Sequence, residues 1–573
     1  MNKFVERISE IGLFRSIVEF QHEVGVSKEV DAVISFGVDV VRAALDDDVS
    51  RIDKDDQFAV CQFFGLWLKK NPTVDPNALL DVGVGIHNSK NVDKVGDQMP
   101  YCIGGYFEQH ANFADKVAER VLSNEDCVDF VPGILPVAIK ANSEKWLPHV
   151  LDWISEHENT HFQACGLAAL ANLDKNAVES EGRGEIVYRV LDNLARTVNL
   201  DQVGIALYNA SKTWSANNKF GKKFEVLRNR LINSGNGRVL NVVALSDRDG
   251  DAAMSEADIS VRLSAFGDLL KSKDPYNRAV DGYLAHLIKV KPESVINLLG
   301  KVICEGDGRV LEDGALHQTF SAISLGAEEL KNQVVTKWLL SSEVKLWRGA
   351  QKLVKELHRP DDLGIRVDVG LLPSDDIGRI NLFRRAVGWL FWAHLTCVGY
   401  AISCLEHLSV SALDFIKPIF YDLLTMNFPD VVEKAAEIRA ETVDSGDQVL
   451  AFLKEQVSLH KRLEKSLSMT GVMNELLPPV EDRIEYAKLE SERQRKIQEE
   501  ARKRSFLGLF NCVTVLYGNG MIGKQYAVDG EKRTVVPFEG GGVKFRIPAM
   551  MHCAEVTLQA ELEDAMYLPV ETK

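Results

Sequence analysis

No GxxxxGK[ST] phosphate loop and no GxSxG nucleophile elbow occurs in the sequence, which removes the usual sequence grounds for a P-loop nucleotidase or an α/β-hydrolase. No two cysteines form a CxxC pair. The nine present are dispersed, mostly in apolar helical runs, so reduced, buried thiols in a cytoplasmic protein are expected rather than a disulfide framework. Positive charge is in deficit: 67 Lys and Arg against 83 Asp and Glu leave a net −16, which argues against nucleic-acid binding over the whole surface. A local basic patch survives that average. The opening stretch MNKFVERISEIGLF carries acids and no continuous apolar core, so it does not read as a signal peptide. Long uncharged runs are scarce too. The one at 386–405, AVGWLFWAHLTCVGYAISCL, follows Arg384 and Arg385 and is long enough to span a bilayer. His394, Thr396, Ser403 and two glycines dilute it, and amphipathic segments flank it. The expectation is a helix buried inside a large helical protein, with a membrane span as the alternative.

What the sequence does contain is repetition. Between residues 255 and 358, three pairs of amphipathic helices follow one another, with first helices starting near Ser255, Lys291 and Ala327, a step of about 36 residues. Their stripes match: Ile259, Leu263, Phe266, Leu269 and Leu270; then Val295, Leu298, Leu299, Val302 and Ile303; then Leu330, Val334, Trp338 and Leu339. Second helices start near Asp274, Arg309 and Ser342, with a stripe such as Val280, Tyr283, Leu284, Leu287 and Ile288. Earlier starts near Ser143, Glu185 and Lys219 carry the pattern towards the N-terminus. A lone helix pair cannot bury its apolar face, so neighbours must stack into a continuous core. In periodicity and pairing, over roughly residues 100–440, the chain resembles the HEAT- and armadillo-type α-solenoids. That resemblance implies a curved surface that binds proteins, or sometimes nucleic acid, without doing chemistry.

The expected organisation is mainly α: a helical segment over 1–100, the repeat array over 101–358, an apolar helical segment closing the array over 359–445, and long helices forming a hairpin or spacer over 446–505. A small antiparallel β domain is expected over 506–573. Short β-rich runs at 510–517, 525–528, 534–538, 543–547 and 555–562, separated by turn signals such as Asp529-Gly530 and Gly540-Gly541-Gly542, carry that last expectation. The charged helix at 481–504 reads as a solvated spacer or half of an antiparallel pair, with a partner-binding coiled coil as the alternative.

Three motifs bear on chemistry. His157-Glu158-Asn159-Thr160-His161 matches HExxH and resembles the zinc-peptidase signature over five residues, which implies His157 and His161 as ligands, Glu158 as general base and Glu181 as third ligand. The repeat reading instead places a turn and a helix cap at Asn159-Thr160, so that the histidines straddle a break. Gly518-Asn519-Gly520-Met521-Ile522-Gly523 fits GxGxxG, but no room follows for the helix a dinucleotide site needs, and a hairpin is expected. Lys219, Lys222, Lys223, Arg228 and Arg230, with Lys212 and Arg238 nearby, concentrate positive charge that could face a phosphate or an acidic partner; a solvated helix face is the plainer alternative. The expected function is a non-enzymatic scaffold or adaptor, without cofactor, holding a protein partner within a multi-component complex. Two alternatives are a zinc-dependent hydrolase at His157, Glu158 and His161, and a nucleic-acid-binding solenoid using the basic helix 219–230.

Overall fold

Short polar side chains decide where helices begin. Asp75 accepts from the Ala78 amide with Pro76 in the first turn, Asn142 accepts from Lys145, Asn277 from Ala279 and Val280, and Ser409 from Ala412. Each satisfies amides that the first helical turn leaves unpaired. The computed structural model describes residues 2–21, 26–52, 56–70, 74–89, 98–173, 182–215, 220–246, 255–272, 277–312, 314–355, 364–444, 446–470, 479–504, 520–527, 530–537 and 548–569. The chain divides into two compact units: Met1–Val334 with Ser341–Leu357, and Val335–Leu340 with His358–Lys573.

The first unit opens with α1 (Asn2–Ile11), α2 (Leu13–Gln21), α3 (Val26–Ser35), α4 (Val40–Leu45), α5 (Gln57–Lys70), α6 (Pro76–His87), α7 (Met99–Gln109) and α8 (Ala111–Ser123). It continues through α9 (Val131–Ala141), α10 (Ser143–Glu156), α11 (Thr160–Ala171), α12 (Arg183–Thr197), α13 (Leu200–Ser215), α14 (Gly221–Asn233) and α15 (Gly237–Ser246). Then come α16 (Glu256–Ser272), α17 (Arg278–Leu287), α18 (Pro292–Glu305), α19 (His317–Ser324), α20 (Glu328–Leu340), which both units share, and α21 (Val344–Lys355). Odd-numbered helices from α3 to α21 each pack on the next odd one. Even-numbered helices do the same from α4 to α8 and from α10 to α18. The result is two layers of stacked helices, and the stacking begins with α1 on α3 and α2 on α4, well before residue 101. Helices α14, α16, α18 and α20 start at 221, 256, 292 and 328, so the step read from the sequence is present.

The stripes supply the core. Ile259, Phe266, Leu270, Val280, Tyr283, Leu284, Val295, Val302, Val334 and Trp338 are all buried, each large aliphatic side chain contributing roughly 1.5–3 kcal/mol. Polar ties one repeat apart join neighbouring helices: Lys70 to Asp31, Lys223 to Glu185, Arg230 to Asp192 and Lys271 to Glu305.

In the second unit, α22 (Asp376–Leu390) and α23 (His394–Leu405) split the apolar run at 386–405 into two short helices, and every residue from Thr396 to Leu405 is buried. No helix among the described residues is long and apolar enough to cross a membrane. Next is α24 (Val410–Phe420), which passes into a wider π turn at Tyr421–Thr425. Asn427 closes that turn by donating to the Asp422 and Leu423 carbonyls, at 2.9 and 3.1 Å. Then follow α25 (Pro429–Thr442), α26 (Gln448–Thr470) and α27 (Val480–Arg504).

The expected C-terminal β domain is not seen among the described residues. Among the described residues the β structure is one antiparallel hairpin, β1 (Gly520–Ala527) with β2 (Gly530–Pro537), Gly520 lying opposite Pro537 and Ala527 opposite Gly530. Gly520 and Gly523 lie in β1, so no helix opens at the GxGxxG match. The predicted strands at 510–517 and 543–547 lie outside the described residues. The predicted strand at 555–562 is helical, within α29 (Glu555–Tyr567), which follows the short α28 (Met550–Cys553). Its alternation of Val556, Leu558, Ala560 and Leu562 reads as a strand over eight residues. Extended to Ala565, the buried set becomes Leu558, Leu562 and Ala565, which is helical spacing, while Val556 and Ala560 face solvent. This stripe packs on α22: a Cβ at Gly388 would sit 2.9 Å from the Met566 amide nitrogen, and Arg384 donates to the Asp564 carbonyl at 3.0 Å.

Candidate functional site

The HExxH match does not lie on one helix. Helix α10 ends at Glu156, His157 is extended at ψ 124°, and Asn159 caps α11 by accepting from the His161 amide at 3.0 Å. The turn read at Asn159-Thr160 is present. The His157 ring packs between Trp153 and Phe162, with centroids 4.8 and 4.9 Å away, and its carbonyl accepts from Gln163. Glu158 is exposed, and Glu181 lies outside the described residues. His161 turns elsewhere, its Nε2 lying 2.9 Å from Asp129 Oδ1. The two histidines therefore lie on either side of a break and have different partners.

His161 instead joins a polar cluster that the sequence did not single out. Asp129 stands in a 3-10 turn (Glu125–Phe130) started by Asn124, which accepts from the Asp126 amide. Its second oxygen, Oδ2, meets His87 Nε2 at 2.8 Å. His87 is the last residue of α6, buried edge-on against Phe130. One turn beyond His161 on α11, Cys165 places Sγ 4.0 Å from His161 Nε2. The donor atoms of Asp129, His161 and Cys165 all lie within 4.8 Å of one another.

Electrostatics divides these roles. The His87 hydrogen bond first, and then His161, hold the Asp129 carboxyl below its ordinary range, so it is ionised at neutral pH. Burial, with a smaller push from the Asp129 charge, drives the Cys165 thiol up to about 12. That thiol is no nucleophile as it stands, because the reactive species is the thiolate. Nor is this a relay triad. In such a triad the two imidazole nitrogens face different partners, whereas here Nε2 alone faces both Asp129 and Cys165. Three different donor types thus lie near one another, and together they could hold a cation.

The cluster opens onto a cleft of about 320 Å³, whose wall includes Tyr101, Gly105, Glu108, Asp129, Pro136 and Cys165. It lies on stacked helices α7, α9 and α11. Glycines set its shape: a Cβ on Gly104 would lie 2.9 Å from Gly133 Cα, so α7 and α9 cross in backbone contact. Tyr101 stands 76% exposed at its edge. Glu108 and Asp129 are the charged residues on the wall, and both are acids.

The basic cluster is largely engaged with its neighbours. Lys223 pairs with Glu185 at 2.6 Å and Arg230 with Asp192 at 2.5 Å, tying α14 to α12. Arg228 is half-buried against the Tyr208 ring and donates to Ser215 at 3.3 Å. Lys212 and Arg238 donate to the carbonyls of Ser246 and Asp201. Lys222 is exposed, and Lys219 lies outside the described residues. A signal for the missed cluster does exist. His161 and Cys165 are four apart on one helix, and Asp129 precedes His161 by 32 residues, close to one repeat step. No protein-family model matches this chain, and no curated protein does.

Proposed function

We propose that the chain is a non-enzymatic interaction protein of HEAT- or armadillo-like character, working in the cytoplasm as a scaffold that holds a protein partner. The observation that carries this reading is the cleft across α7, α9 and α11. It crosses three consecutive rungs of one stacked layer, as an extended segment needs, and its charged wall residues are both carboxylates. The segment it fits is an extended stretch of a partner protein carrying a basic side chain, with Tyr101 as the amphipathic contact at the edge. Pairing of Lys223 and Arg230 with acids on α12 lends nothing to a nucleic-acid surface on α14.

The test uses Gly105, where an added side chain meets open space. Gly105→Trp puts a bulky side chain on the cleft wall; Gly300→Trp, on α18, is the control, where a Cβ also meets open space. A partner purified with the native chain should bind the wild type and the Gly300 variant equally in calorimetry. It should bind the Gly105 variant at least tenfold more weakly, and Glu108→Lys should weaken it as well. Unchanged binding in both cleft variants would remove this surface as the binding site.

A further inference from the structure

We propose that Asp129, His161 and Cys165 bind one divalent transition-metal ion, and that zinc is the ion their donors fit best. The reading shares Asp129 with the partner proposal but does not require a partner, because it rests on the three donor atoms alone. A carboxylate oxygen, an imidazole nitrogen and a sulfur already lie within 4.8 Å of one another. Typical zinc bonds of about 2.3 Å to sulfur and 2.0–2.1 Å to nitrogen or oxygen place tetrahedral donors about 3.3–3.6 Å apart. The observed 2.9 Å from His161 to Asp129 and 4.0 Å from His161 to Cys165 bracket that range, while the Asp129–Cys165 pair, within 4.8 Å, closes by up to about an ångström through side-chain rotation.

Each donor is also held from behind. His161 and Cys165 share one face of α11, whose start is set by the Asn159 cap. Asp129 is aimed by His87, which occupies Oδ2 and leaves Oδ1 towards His161. Such an outer hydrogen bond on a ligating group is what orients metal ligands in proteins. The mixture of sulfur, nitrogen and oxygen suits zinc, and excludes magnesium and calcium, which take oxygen donors. With His161 55% exposed on its side chain, an ion reaches the cluster directly from solvent.

The 2.9 Å contact is an N–H···O hydrogen bond from His161 to Asp129, so on binding the imidazole proton must reside on Nδ1, leaving the Nε2 lone pair for the metal. The Cys165 thiol gives its proton to solvent, because a dication beside it reverses the effect of burial. Three protein donors leave the fourth position to water or to a donor entering from the cleft, whose wall already includes Asp129 and Cys165.

The experiment takes the full chain purified in chelator, dialysed, and titrated with zinc and separately with cobalt. We expect one ion per chain with sub-micromolar affinity, one proton released per ion at about pH 8, and a near-ultraviolet thiolate-to-cobalt absorption. Cys165→Ser should abolish that absorption while far-UV circular dichroism is unchanged. Asp129→Asn and His161→Ala should each lose most of the affinity, and His87→Gln should weaken it about 10–100-fold. His157→Ala should change nothing. Failure of the wild type to bind either ion would overturn the proposal whatever the variants do. So would binding without thiolate absorption, or binding that needs His157.

Discussion

Gly104 and Gly105 are sequence neighbours on α7 with opposite surroundings. A Cβ at Gly105 meets nothing within 4 Å, whereas one at Gly104 falls 2.9 Å from the Gly133 backbone. Gly105→Ala should therefore stabilise the chain by about 0.5–1 kcal/mol through reduced unfolded-state freedom, and Gly104→Ala should cost about 1–3 kcal/mol by prising α7 from α9. Denaturant midpoints for the two variants check both signs. Glu29 presents a second contrast. It lies 2% exposed in the first turn of α3, and neither carboxylate oxygen meets a donor among the described residues. Burial raises its pKa to about 7. Because the folded value lies above the unfolded one, the native state holds the proton more tightly and stability falls as pH rises between about 4.5 and 7. The lost stability is on the order of 3 kcal/mol and is fully lost above that window. Glu29→Gln should remove this slope and make the variant more stable than wild type at about pH 8, measured by urea unfolding across pH. Neither the difference between the two glycines nor the burial of Glu29 could be read from sequence, since composition and spacing are silent about what lies opposite a given Cα.

Among elements, the connection between α18 and α19 is fastened by a lysine that has travelled far from water. Lys352 on α21 is buried, with Nζ donating to the carbonyls of Val310, Glu312 and Ala315 at 3.2, 2.5 and 2.6 Å, and it also sits over the Phe320 ring. Lys352→Met fills similar volume but leaves three carbonyls without this donor. The expected loss is about 2–4 kcal/mol, with faster proteolysis in 309–316 as the local readout. Helix α21 was legible as a second helix starting near Ser342, but nothing in the sequence marks Lys352 as buried. The apolar stripes were legible because helical periodicity is local: Ile259, Leu263 and Phe266 declare their shared face within eight residues. Asp129, His161 and Cys165 belong to two elements brought together by stacking, and no window of sequence contains them all. At Glu555 the window was too short instead, and alternation over eight residues concealed the helical stripe that Ala565 completes.

At the scale of the molecule, the second unit joins segments distant in sequence, with α29 lying on α22 some 180 residues earlier and the Met550 amide donating to Asn427 at 3.0 Å. Gly388→Leu should drive Leu562 and Met566 off α22, costing roughly 1–3 kcal/mol. Hydrogen exchange should then show lost protection in α29 while α16 and α18 in the first unit stay protected. That first unit is built on a different plan, most of its helices packing on the helix two places along. A ladder of this kind treats its own length as adjustable. Duplicating residues 256–291 in frame would add one more rung whose upper and lower faces match those already in place, so the longer chain should fold, gain helix in proportion, and keep the Asp129 cluster intact several rungs away.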